Sequence, residues 1–277
     1  MSQTVNYVFD TLDDVHKDKS AATRRQMIAG ASAALGSMGL LAWADQAEAQ
    51  TSLGVPPNTS EPNTPQTILN AAATVEVLAT IVNTVGGERV QLNPLEKQNI
   101  AGAAFEEKVH YEVLISDAVG GIPLTKRIWV PDAVFADRTG FFGTLAVGDQ
   151  IFINAYLLAT TVFARFGTTT GSRFARFAAE FMGAEAVHRA LAIQSLSGDT
   201  TSGNDRIFMK FSGREEATTV PNTGAPGFTR IDVAVQQLEA AGFGFGEEGA
   251  MPGAFYEYDE VSQRTPEPSF VHTRTPS

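Results

Sequence analysis

Cysteine is absent from the 277 residues, and that one absence removes several chemistries at once. The chain can form no disulfide, no thiolate zinc site, no cysteine-ligated iron–sulfur cluster and no covalently attached c-type haem. Positive charge is also short, since 20 Lys and Arg stand against 31 Asp and Glu and leave a formal charge of −11. Such a balance lacks the basic excess that neutralises phosphates, so no nucleic-acid partner is expected. An acidic surface instead favours solubility and attracts cations. Histidine is scarce, with four residues at His16, His110, His188 and His272. Any metal held by this chain must therefore use carboxylates and imidazoles, which suit iron, manganese, zinc and related ions. The hydrophobic share of 43% with 18% charged residues fits a globular chain of one or two domains.

Residues 1–23 are polar and irregular. Thr23-Arg24-Arg25-Gln26-Met27-Ile28 then opens an apolar run that reaches Trp43 and is short for a membrane span of about 20 residues. It ends near Ala47-Glu48-Ala49, a small-x-small cleavage pattern. Together these features resemble a twin-arginine export signal over 1–49, with an N-terminal anchor or a buried helix as the alternatives. The resemblance implies export, to the periplasm, cell envelope or exterior, of a chain already folded. With the signal removed, no stable membrane span is expected. Residues 50–63, with Pro56-Pro57 and Pro62 among Ser, Thr and Asn, have linker composition.

Four helices should follow. Thr64 as N-cap and Pro65 at the first position start one with an apolar stripe of Ile68, Leu69, Ala72, Val75, Ala79 and Val82, stopped by Gly86-Gly87. Glu76 intrudes on the edge of that stripe. Asn93, Pro94 and Glu96 start a second helix, with Gly120-Gly121 as its stop. Its inner arc reads Ile100, Ala103, Ala104, Glu107, Tyr111 and Leu114. At 100° per residue Glu107 falls mid-arc, His110 lies to one side of it, and Glu106 turns toward solvent. The segment from Ile122 to Gly143 is too long for a hairpin and suits a crossover along the length of a bundle. A third helix, about Thr144 to Phe166, is apolar almost all round except for Asp149 near its start, where the helix dipole would help hold the charge. A fourth runs from about Ser172 to Leu196, with Phe174, Ala178, Phe181, Glu185, Ala192 and Leu196 inward and His188 on the same flank.

Residues 199–277 change character, being rich in Gly, Thr, Pro and acids. One short helix is expected at about Arg230 to Ala241, ended by Gly242, in an otherwise irregular extension. Phe255-Tyr256-Glu257-Tyr258 should dock that extension by burying its rings.

The inward acids alternate by helix as Glu76, then Glu107 with His110, then Asp149, then Glu185 with His188. That alternation and the short, long, short connections are those of ferritin-like di-metal bundles. Residues 64–198, about half the chain, resemble a ferritin-like domain, most similar to the exported bacterial and plant desiccation-associated branch. Glu185-Ala-Val-His188 in an Ala-rich helix and the Ala155-Tyr156 pair beyond Asp149 carry that likeness. The resemblance implies an all-α fold: a ferritin-like four-helix bundle with a long crossover between the second and third helices and a mostly irregular C-terminal extension.

It further implies two divalent ions, iron or manganese, with Glu107 and Glu185 bridging and Glu76, His110, Asp149 and His188 at the ends. Asp149 stands where the family usually has Glu, which shortens the reach by one methylene. The implied activity is that of an oxidoreductase, ferroxidase- or catalase-like, on oxygen or peroxide. The alternative is a non-catalytic stress, desiccation-associated or envelope protein that uses the bundle as scaffold. A buried ion-pair network, with Arg189 as a neutralising charge, is the metal-free reading of the same residues. Tyr111 and Tyr156 are candidates for groups beside the metals or for plain core packing. A homodimer is left open.

Overall fold

A computed structural model of the protein describes residues 62–197 and 230–271. The export signal at 1–49, most of the 50–63 linker, and positions 198–229 and 272–277 of the extension lie outside the described residues, as do His16 and His272.

Helix α1 spans Pro65–Arg89, with Thr64 accepting a hydrogen bond from the Thr67 amide and Pro65 at its first position. The expected stop at Gly86-Gly87 does not occur, because glycine there serves packing. A Cβ on Gly86 would lie 2.1 Å from the ring of Phe141, which sits directly against the helix backbone. Helix α2 spans Pro94–Leu114 and opens with the expected capping box, Asn93 and Glu96 each accepting from the other's backbone amide. It ends before the expected Gly120-Gly121. The chain turns through Gly120 at φ 80°, and the Gly121 amide donates to the Leu114 carbonyl at 2.8 Å.

The crossover is not bare loop. It contains strand β1, Arg127–Pro131, and a 3-10 turn, Asp132–Phe135. Helix α3 spans Arg138–Arg165, starting earlier than Thr144 because Asp137 caps it, accepting from the Gly140 amide at 2.8 Å. The Arg138 guanidinium fastens that end: its Nε donates to Glu96 at 2.9 Å, and its Nη2 donates to Glu96 and to the Ser195 carbonyl. Asp149 consequently lies in the helix interior. The terminal dipole fades within the first turn, so it does not account for that acid. Helix α4 spans Thr169–Ser197.

Helices α1 and α2 pack as one pair and α3 and α4 as another, with lesser contacts from α1 to α3 and from α2 to α4. Both α1 and α3 are long and apolar enough to cross a membrane, but their most apolar windows are 94% and 61% buried within the protein. That apolarity is used in the core.

The expectation of an all-α chain is corrected to a mostly helical one with a small sheet. After helix α5, Asp232–Ala240, the chain turns at Gly242 and forms strand β2, Gly244–Phe245, then β3, Gly253–Glu257, and the short helix α6, Tyr258–Val261. The strand order is β2-β1-β3, all antiparallel, with Ile128 opposite both Phe245 and Tyr256. Ile128 and Val130 point into the core while Arg127 is exposed, the alternation expected of a half-buried strand. The C-terminal segment is thus held in the crossover's sheet. Tyr258 docks it further, packing its ring 4.4 Å from that of Tyr111 on α2. At the other end Asn63 accepts from the Ile231 amide at 2.9 Å, joining the start of α1 to α5.

Candidate metal centre

Each long helix carries an acid into the space between the two helical pairs. Glu76, Glu107 and Glu185 are fully buried at 0% exposure, Asp149 is at 3%, and His110 and His188 are at 6% and 7%. Glu76, Glu107, His110 and Glu185 present ligand atoms within 4.8 Å of one another, a group able to hold a metal ion. His188 lies beside them and Asp149 is buried outside that tight group.

The two central carboxylates span both imidazoles. Glu107 places Oε2 3.3 Å from Nδ1 of His110 and Oε1 3.0 Å from Nδ1 of His188. Glu185 repeats this with Oε1 at 3.9 Å from His110 and Oε2 at 3.7 Å from His188. Glu76 faces the His110 end, its Oε1 3.6 Å from Nδ1. Asp149 belongs to the other end. Burial raises its carboxyl well above the usual range, against the opposing charges of His188 and Arg189.

Eight atoms here have no hydrogen-bond partner: both carboxylate oxygens of Glu107 and of Glu185, Oε2 of Glu76, Oδ2 of Asp149, and Nδ1 of each histidine. Buried polar atoms are almost always paired, and each orphan costs about 1–3 kcal/mol or more when charged. So many in one place are what a cation would satisfy. The donor set, carboxylate oxygen and imidazole nitrogen, fits iron, manganese or zinc.

Without an ion, protons must balance the charge. Burial and the neighbouring Glu107 raise Glu76 to about 8. Glu185 is pushed well up by the same two causes. Glu107 stays ionised, because His188 and His110 outweigh its burial and lower its pKa. His110, against the cost of burial, is raised to about 10 by Glu76 and Glu107, and His188 is raised well up by Glu107 and Glu106.

The surroundings of the two imidazoles differ. Nε2 of His188 donates to Oε2 of Glu106 at 2.7 Å, whereas the His110 ring stacks on Phe181, centroids 4.1 Å apart. Glu106, which helix geometry turns toward solvent, is the partner that sequence reasoning missed. Its side chain is indeed 30% exposed, but His188 reaches it from α4. The only signal in the sequence is its place beside Glu107. Tyr156 donates its hydroxyl to Oε1 of Glu76, and burial with the nearby acids keeps that phenol protonated. Tyr156 and Phe181 also wall an apolar cavity of about 20 Å³, completed by Leu69, Ala72, Leu114, Phe163 and Phe177 among others. Tyr111 lies outside this circle, packed on Tyr258.

No family model, curated protein or solved structure matches the chain.

Proposed function

We propose that this chain is an exported, ferritin-like di-metal carboxylate protein that holds two iron or manganese ions and acts as an oxidoreductase on oxygen or peroxide. The observation that carries the reading is the set of eight buried, unpartnered donor atoms on four helices. Glu107 and Glu185 would be shared by the two ions, Glu76 and His110 would hold one of them, and Asp149 and His188 would hold the other. Four carboxylates balance two divalent charges, the arrangement of carboxylate-bridged pairs. Bound ions would supply the electrons for reduction of oxygen or peroxide.

The chain's own residues contribute the surroundings. Tyr156 holds a proton on its phenol oxygen and orients Glu76 through its hydrogen bond. Phe181 fixes the His110 ring by stacking. The cavity of about 20 Å³ against Tyr156 and Phe181 gives that flank an apolar lining. Oxygen suits such a lining better than a polar peroxide.

Metal analysis of folded protein expressed with iron or with manganese tests the proposal. Two ions per chain are expected, and fewer than one would sink it and favour the non-catalytic stress or envelope role. Export is tested separately: replacing Arg24 and Arg25 by Lys should leave the chain in the cytoplasm.

A further inference from the structure

The two ends of the site are built differently. At the His110 end, Glu76, Glu107, His110 and Glu185 already bring four ligand atoms within 4.8 Å, and the imidazole is braced by the uncharged Phe181 ring. At the His188 end the terminal acid is the shorter Asp149, outside that group. Arg189, which follows His188 in the chain, is 4% exposed. Glu106 offsets that end from behind, through the 2.7 Å hydrogen bond to Nε2 of His188.

We infer that the two ion positions fill in order, the Glu76/His110 position first, and that the second requires Glu106 as the positioning residue for His188. The inference rests on the two-ion reading above. A carboxylate only accepts, so Glu106 keeps the hydrogen of His188 on Nε2 and leaves Nδ1 to face the ion. It also strengthens the imidazole as a donor, as outer carboxylates do for metal-bound histidines. An ion entering the second position meets a shorter acid and lies outside the tight group of four ligand atoms. That position therefore depends on Glu106 in a way the first does not. The hydrogen bond that Glu106 makes goes to His188, while the His110 ring is held by stacking on Phe181.

The test titrates the metal-free full-length protein with Co(II), following ligand-field absorption and heat, for the wild type, E106A and E106Q. Two steps are expected in the wild type. E106A should weaken the second by roughly 10–100-fold, the usual loss on removing an outer partner, and leave the first within about twofold. E106Q keeps a neutral acceptor for Nε2–H and should fall between. Proton NMR of the metal-free protein gives an independent readout: a downfield Nε2–H signal of His188 that E106A abolishes and E106Q retains. Two equal steps, a loss confined to the first step, or an unchanged E106A would overturn this inference and leave the di-metal reading standing. Uptake of a single ion by the wild type would overturn this inference alone, and failure to take up any ion would overturn both.

Discussion

Glu107 and Glu257 are both carboxylates facing bases, and they sit in opposite worlds. Glu257, on β3, lies 3.2 Å from Arg127 Nε with both side chains about half exposed, one of several such pairs where the C-terminal segment clasps the crossover and α1. Arg264 with Glu88 at 2.8 Å and Lys126 with Asp259 at 2.9 Å are others. Water solvates these charges whether or not the pair forms, so each contributes about 0–1 kcal/mol. Glu107 is fully buried. Taking its charge into the interior costs several kcal/mol, repaid only by good partners. The imidazoles provide part of that, yet both its oxygens remain without a hydrogen bond. The clasp is thus held by apolar packing and strand pairing, with charges as trim. The helical interior instead keeps buried donor atoms unpartnered, a group able to hold a cation.

The largest effect that could break this contrast is the response to metal. Free ion at 1,000 times its Kd should stabilise the folded chain by about 4 kcal/mol. For a chain of this size, each kcal/mol moves Tm by about 2–4 °C, so a rise of roughly 8–16 °C is expected by calorimetry. E107Q should lose most of that rise, since Glu107 is the one acid that meets both imidazoles at close range. An unchanged Tm in the wild type would mean that the interior is balanced by protons alone.

Acidity separates the metal-free and metal-loaded states. Glu76 at about 8 and His110 at about 10 are both raised, so their stabilisation is full below their ordinary values of 4.5 and 6.5 and is lost as pH rises through 8 and 10. Glu107 is lowered, so its stabilisation is lost as pH falls below its ordinary value. The metal-free Tm should therefore be highest near about pH 5–6 and decline toward pH 10. Metal affinity should run the other way, rising with pH, because binding at pH 7 displaces the protons of His110 and Glu76. Titration calorimetry in buffers of different ionisation heat counts those protons. None released would contradict the protonation assigned to the interior.

Packing gives an intermediate effect with no charge involved. Gly86→Ala would push a methyl into the Phe141 ring, and overpacking of this kind costs about 1–3 kcal/mol. Denaturant unfolding should register that loss. A neutral result would return Gly86 to the role of an incidental glycine in a helix.

Gly86 also marks where sequence reasoning ran out. Helix starts were legible because caps are local: Thr64 before Pro65, and Asn93 with Glu96. The mid-arc places of Glu107 and Glu185 followed from helical period alone. Helix ends were misread where a glycine answered to a distant partner, as Gly86 does to Phe141. The start of α3 is the exception: its cap Asp137 is local, but the turn it opens reads as crossover loop because Arg138 is anchored by Glu96 and Ser195 on two other helices. The sheet was missed for the same reason: Arg127–Pro131 is a short strand whose partners lie more than a hundred residues on. Glu106 failed a purely rotational criterion, since helical angle says where a side chain leaves its helix and nothing about who reaches for it.

The smallest expected effect is the most direct probe of the clasp. Asp259→Asn removes one charge of the Lys126 pair, whose side chains are 72% and 44% exposed. The change in unfolding free energy should stay below about 1 kcal/mol and shrink further in high salt. Tyr258 next to it is a different matter: it is only 5% exposed and packed on Tyr111, and its truncation to Ala should cost about 3–5 kcal/mol, as for large aromatics. Neighbouring residues would then differ several-fold in their effect, the ring outweighing the charge. A D259N loss as large as that of Y258A would mean that the clasp, like the interior, depends on its ions.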